Sequence, residues 1–128
     1  MDEELIRLAY AARENAYAPY SNYRVGAALL CEDGKIFCGC NVENAALGNC
    51  FCAERTALVK AVSEGERKFS KIAIVGSGSM PAPCGACRQS LFEFAPELDI
   101  VIAWDGQIER TNLRDLLPYG FGPSSLLK

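Results

Sequence analysis

The chain contains no histidine. A Ser-His-Asp or Cys-His mechanism therefore cannot be assembled within it. No HExxH helix can hold a metal, and no imidazole can shuttle protons. Long apolar runs are missing too: none nears the ~18 residues of a membrane-spanning helix. Lys and Arg number 13 against 16 Asp and Glu, which leaves a formal charge of -3 and a pI near 5.0. Lys and Arg form no run, so the basic footprint that holds a polynucleotide is absent. Neither a membrane nor a nucleic acid is an expected partner. Any catalysis must use carboxylates, thiols, hydroxyls, cations or a metal.

Cysteine, by contrast, is plentiful at seven residues. The count is odd, so full disulfide pairing is impossible. The acidic opening Met1-Asp2-Glu3-Glu4 is unlike the basic start of a signal peptide. Together these predict a soluble, cytoplasmic protein with reduced thiols serving as metal ligands, reactive groups or small buried residues. A length of 128 residues suits one domain, 1–128, with a real core.

Hydrophobic periodicity sets out the elements. Asp2 reads as an N-cap, and Leu5, Leu8, Ala9, Ala12 and Ala16 recur at helical spacing until Pro19. Residues 24–31 and 35–42 read as strands joined at Asp33-Gly34. Residues 44–51 read as a loop. A second helix runs over 52–64, with Gly65 past its end. Ile72 to Val75 is a short, wholly apolar strand expected at the centre of a sheet. After the loop 76–83, a third helix starts near Gly85 and stops before Pro96. Strands at 100–104 and 107–111 flank Asp105-Gly106. Asn112 caps a short last helix, and the tail after Pro118 reads as irregular. The order α-β-β-α-β-α-β-β-α predicts an α/β fold, a five-stranded mixed sheet between helical layers.

Chemistry concentrates at two helix starts. Cys52-Ala53-Glu54 opens the second helix, and Pro83-Cys84-Gly85-Ala86-Cys87 opens the third. A lone Cys-x-x-Cys is a weak signal. A preceding Pro, a separate Cys-x-Glu and placement at two helix starts make coincidence rare. Cys84 and Cys87 on one helical turn can aim both sulfurs at one ion, and Cys52 can supply a third. Three ligands plus water is the pattern of a catalytic zinc, whereas structural zinc sites are closed with four. Helix N-termini favour the thiolate form. Three thiolates outweigh the zinc charge, and Arg55, next to Glu54, could offset this by donating to the sulfurs. Glu54 is close to the metal without being needed as a ligand, which suits it to carry protons.

These motifs, with the flanking Arg55-Thr56-Ala57 and Arg88-Gln89, resemble the small homotetrameric zinc-dependent cytidine deaminases. The resemblance extends over nearly the whole chain, through Tyr17-Ala18-Pro19-Tyr20-Ser21 and Gly39-Cys40-Asn41-Val42-Glu43-Asn44-Ala45. It implies a three-layer α/β/α fold and hydrolysis of cytidine and 2′-deoxycytidine to the uridines with release of ammonia. It implies one Zn2+ per subunit on Cys52, Cys84 and Cys87, and Glu54 as the catalytic proton carrier. The backbone N–H of Ala53 is expected to hold the pyrimidine O2. Asn41 and Glu43 are expected to hydrogen-bond the ribose, chiefly its 3′-hydroxyl. Tyr23 stands beside the base, where relatives often have Phe. Phe121 is expected to reach a neighbouring subunit's site in a homotetramer. Leu47 departs from the Tyr that many relatives carry.

Blander readings exist for each feature. Cys84 and Cys87 could be a redox pair, or Cys50 could close a structural zinc site as fourth ligand. Arg55 could be a surface helix residue, Glu43 a solvated side chain, Asn41 a turn residue, and Tyr23 and Phe121 ordinary aromatics. Cys31, Cys38 and Cys40 are expected to be small buried strand residues. A blasticidin-S-type deaminase would share the zinc motifs.

Overall fold

A computed structural model describes residues 1–127. The elements are α1 (Asp2–Arg13), β1 (Gly26–Cys31), β2 (Ile36–Cys40), α2 (Ala53–Ser63), β3 (Phe69–Gly76), α3 (Gly85–Phe92), β4 (Asp99–Trp104), β5 (Gln107–Asn112), α4 (Leu113–Leu116) and α5 (Pro123–Leu126). The strands form one mixed sheet in the order β2-β1-β3-β4-β5. Only β3 and β4 pair in parallel. Their connection passes through α3, the crossover that a parallel pair requires. β3 is central and buried along most of its length, as its unbroken apolar run predicts.

Strand alternation divides the core between two faces. Ala27, Leu29, Ile72, Ile74, Ile100 and Ile102 point to one side and pack with Ala57 and Leu58 of α2 and Leu91 of α3. Ala28, Ala73, Val75, Val101 and Ala103 point to the other side and meet Leu5 and Ala9 of α1. This is the expected three-layer α/β/α arrangement. Both Asp-Gly turns form where expected. Asp105 and Gly106 both take positive φ, 46° and 79°, the backbone of a two-residue hairpin turn.

Several boundaries differ from the sequence expectation. Asp2 is not the N-cap of α1; Met1 is, without a side-chain bond. The Asp2 carboxylate is taken instead by Lys71 of β3 and Arg110 of β5. α1 stops at Arg13, short of Pro19. Tyr17 then pairs through its N–H with the Asn41 carbonyl at 3.0 Å, which draws the chain to the end of β2. β1 starts at Gly26 because the Asn41 side chain takes the Val25 N–H and the Tyr23 carbonyl. The tail is not wholly irregular: Pro123 begins the short α5, as its fixed φ favours at a first helical position. Of the three strand cysteines, Cys31 is buried, whereas Cys38 and Cys40 on edge strand β2 are half-buried.

The helix that carries Glu54 lies flush on β2. A Cβ at Gly39 would stand 2.5 Å from Ala57 N and 2.6 Å from Ala53 O. Backbone meets backbone there, and no side chain can yield. Gly39→Ala is expected to cost about 2–3 kcal/mol. Gly48→Ala, where a Cβ meets nothing within 4 Å, should stay within ~0.5 kcal/mol. Urea unfolding of the two variants checks this contrast.

The Asp2 ion pairs carry a pH signature. The carboxyl of Asp2 is held below its ordinary 3.8, first by the hydrogen bond from Lys71 and then by that from Arg110. A carboxyl with a depressed folded pKa stabilises fully above its unfolded pKa, and that stability is lost as pH falls through the folded value. The pairs are partly solvated, so Asp2→Asn should cost only about 0.5–1 kcal/mol at neutral pH. The gap between variant and parent unfolding midpoints should narrow as pH drops below 3.8.

Candidate active site

Two helices begin at cysteines. Cys52 is the N-cap of α2 and Cys84 that of α3, both in extended backbone, and neither makes a side-chain capping bond. The first-turn N–H groups of both helices have no intrahelical acceptor. Cys87 follows Cys84 by three residues, so it shares the same helix face. The sulfurs of Cys52 and Cys87 each lie 3.6 Å from that of Cys84. All three fall within 4.8 Å of one another. Thiolates at ~2.3 Å from a tetrahedral zinc stand about 3.8 Å apart, so the spacing fits one such ion. The donor set fits as well, three soft sulfurs with room for a fourth ligand.

The sulfurs share protons unequally. The Cys52 thiol is pulled down to about 6, chiefly by a hydrogen bond from Cys87, with Cys84 and the Arg55 charge assisting against burial. The Cys87 thiol is pushed far up by giving that bond and by its own burial. Cys50 does not join the group. Its sulfur accepts from the Asn44 N–H at 3.3 Å instead, which leaves a closed four-cysteine site without its fourth ligand. All seven cysteines are free thiols, Cys84 and Cys87 included.

Glu54 sits one residue into α2 and is 4% exposed. Its carboxyl is pushed up to about 7, first by burial, with the nearby Cys52 charge adding to the effect. A carboxyl that takes up and releases a proton near neutrality can act as either acid or base. Arg55 does not donate to a sulfur. Its Nη2 donates to the Cys50 carbonyl at 2.7 Å, and its guanidinium lies 4.9 Å from the Phe51 ring centre. Its Nε is buried and is the sole such side-chain nitrogen or oxygen lacking a partner among the described residues.

Cys52 and Cys84 open onto a cavity of about 310 Å3, within the range of small-molecule sites, while Cys87 is buried and does not line it. Tyr23, Asn41, Glu43, Cys52, Ala53, Glu54 and Cys84 all line it, so the fold gathers most of the residues singled out from sequence. Phe121 is not among them. It lies 57% exposed on the tail, its carbonyl held by Gln89 Nε2 at 2.7 Å. Leu47, 74% exposed, sits on a single 3-10 turn.

Hydrogen bonds constrain the polar wall. The Asn41 carbonyl oxygen accepts from Val25 N at 2.9 Å, and its amide nitrogen donates to the Tyr23 carbonyl at 2.8 Å. Glu43 accepts from the backbone N–H groups of Tyr20 at 2.9 Å and Ser21 at 3.2 Å, and from the Ser21 hydroxyl. These bonds hold its carboxyl below the ordinary range, with the Ser21 hydroxyl contributing most. An amide has two N–H donors and two oxygen lone pairs, and a carboxylate about four acceptor sites, so Asn41 keeps one N–H and one lone pair free and Glu43 keeps about one acceptor position.

Sequence reasoning missed Ser21 as the residue that holds Glu43. It also missed Arg88, whose Nε donates to the Pro83 carbonyl at 2.8 Å and whose Nη1 donates to the Leu116 carbonyl at 2.9 Å. Arg88 thereby fixes the start of the cysteine-bearing helix. A serine two residues before an aromatic, and an arginine one residue after the second cysteine, are too common to be read alone.

A cluster of three thiols, two of them lining a cavity, with a buried carboxyl and free helix N–H groups beside it, defines a hydrolytic metal site on an α/β/α frame. Comparison with known proteins narrows the class. Residues 1–103 match the family model for the cytidine and deoxycytidylate deaminase zinc-binding region. The cytidine deaminase of Sporosarcina psychrophila is 49% identical over 97% of this chain and 93% of its own. A crystal structure of cytidine deaminase from Burkholderia pseudomallei superposes with a TM-score of 0.91 at 52% identity, over 94% of this chain and 99% of that one. That of Mycobacterium tuberculosis gives 0.81 at 38% identity, over 94% and 96%. The chain belongs to the cytidine and deoxycytidylate deaminase family.

Zinc loading should protect three thiols per chain from a thiol-titrating reagent. Cys31, Cys38, Cys40 and Cys50 should keep the reactivity they have in the metal-free protein. Protection of four, or of two, would contradict the three-sulfur site.

Proposed function

We propose that this chain is a cytidine deaminase, a zinc-dependent hydrolase acting on the C–N bond of a cyclic amidine. It converts cytidine and 2′-deoxycytidine, with water, to uridine and 2′-deoxyuridine, releasing ammonia for pyrimidine salvage. One domain, residues 1–128, carries the activity in the cytoplasm. The observation that carries this reading is the buried Glu54 carboxyl set beside three clustered thiols, two of which line one cavity. The relatives named cytidine deaminase support it.

Cys52, Cys84 and Cys87 would hold one Zn2+. When bound, zinc supplies Lewis acidity that lowers the pKa of water to about 7. Glu54 accepts a proton from the attacking water and delivers it to N3 of the ring; it then takes the second proton from the oxygen added at C4 and hands it to the amine, which leaves as ammonia while the C4 carbonyl forms. Its burial keeps this proton from bulk solvent. The Ala53 N–H, free at the first helical position, holds the pyrimidine O2. Tyr23 lies along the base. The free positions on Asn41 and Glu43 suit the ribose 3′-hydroxyl. Arg55 offsets the thiolate charge through space, in keeping with its effect on Cys52. Phe121, exposed and outside the cavity of its own chain, reaches the site of a neighbour in a homotetramer.

Ammonia release from cytidine, deoxycytidine, cytosine and blasticidin S tests the reading. Both nucleosides should react, and cytosine hardly at all, because the sugar-binding groups would be left unpaired. Glu54→Gln should keep its zinc and lose on the order of 10²–10⁴-fold in kcat. A variant that stays active, or equal rates on cytosine and cytidine, would refute the assignment. The same assay on dilution, followed by light scattering, should show activity falling as tetramers dissociate.

A further inference from the structure

The connection from β3 to α3, residues 77–84, delivers Cys84 to the site. Its sequence is Ser77-Gly78-Ser79-Met80-Pro81-Ala82-Pro83-Cys84. Two small residues and a glycine begin it, and two prolines deny it backbone donors. Among the described residues, two side-chain hydrogen bonds reach positions 77–82. Asp105 Oδ2 accepts from the Gly78 N–H at 2.8 Å. The Tyr23 hydroxyl donates to the Ser79 carbonyl at 2.9 Å.

The second bond is built into its surroundings. Gly76 ends β3 directly beneath it, and a Cβ there would stand 2.9 Å from the Tyr23 hydroxyl and 3.0 Å from Pro81. The missing side chain makes room for both groups at one spot. Tyr23 is also fixed through its backbone. Its N–H donates to Ser21 Oγ at 3.0 Å, and its carbonyl accepts from Asn41. Pro81 and Ala82, just past the tethered carbonyl, line the cavity beside Cys84.

We infer that the Tyr23 hydroxyl is a specificity-determining tether, which fixes the Pro81–Ala82 wall and so limits the substituents a base can carry into the cavity. A phenylalanine would supply the same ring but not the tether. The inference rests on the proposed deamination of cytidine. Cys84 and Glu54 mark where the reacting carbon of the base must come. The wall next to Cys84 in the chain therefore faces the edge bearing the amine and its neighbouring ring carbon. With the hydroxyl removed, the wall can yield to a larger group at that edge.

Tyr23→Phe in the zinc-loaded enzyme tests this with two readouts. The kcat/KM ratio of 5-methylcytidine to cytidine should rise about fivefold, the worth of one hydrogen bond. Hydrogen exchange across 77–82 should quicken about as much, while β3 keeps its protection. An unchanged ratio overturns the specificity role, and unchanged exchange overturns the tether. A parent enzyme that fails to deaminate cytidine sinks the functional reading instead. Exchange, and calorimetric binding of the two nucleosides, then decide the tether by themselves.

Discussion

The site depends on holding three sulfurs within 4.8 Å of one another beside a buried carboxyl. Every charge in that set has the same sign, so the arrangement is costly unless protons or a cation offset it. Protons do so in part: coupling within the cluster holds the Cys52 thiol down and the Cys87 thiol up, and burial pushes the Glu54 carboxyl up to about 7. A divalent ion does so more completely. The fold contributes rigidity, because such a cluster would spread apart if its helices could shift. Gly39 lets α2 meet β2 backbone to backbone. Arg88 ties the start of α3 to the Pro83 carbonyl and to the end of α4.

The helix starts add a second compensation. Both N-cap positions are cysteines, residues that leave the first-turn N–H groups unclaimed. Serine or aspartate there would cap better and would consume those donors. Part of the local helix stability has been exchanged for partial positive charge at the thiols. Arg55 adds a full charge, but from behind: its one hydrogen bond goes to the Cys50 carbonyl and its face to Phe51. It moderates the sulfur charge through space, without making the donor contact that proximity in sequence suggested.

What the sequence made legible was local. Cys84 and Cys87 are three apart at a helix start, Glu54 is two past Cys52, and both Asp-Gly turns declare themselves. The apolar run at Ile72 to Val75 marked the sheet centre. What stayed hidden were contacts between distant positions. Asp2 looked like a cap because its partners Lys71 and Arg110 lie far along the chain. Asn41 shortened β1 from fifteen or so residues away, by taking bonds a strand neighbour would have made. The Pro81–Ala82 wall lies in a loop whose shape is set by Tyr23 and Asp105, and no spacing rule connects them.

The polar wall shows how far prearrangement goes. Glu43 and Asn41 are not loose side chains waiting in the cavity. Glu43 is pinned by two backbone N–H groups and the Ser21 hydroxyl, and Asn41 by the backbone on both sides of Arg24. Little rotamer freedom remains to be lost on binding, which lowers the entropic cost. The bonds already made also narrow the partner. Asn41 has one N–H and one lone pair left, and Glu43 has about one acceptor position left. A group that takes the Asn41 N–H and gives to Glu43 must accept and donate at once. A hydroxyl does this; an ether or a carbonyl cannot. The positions these two side chains still offer are set by the bonds they have already made to the protein itself.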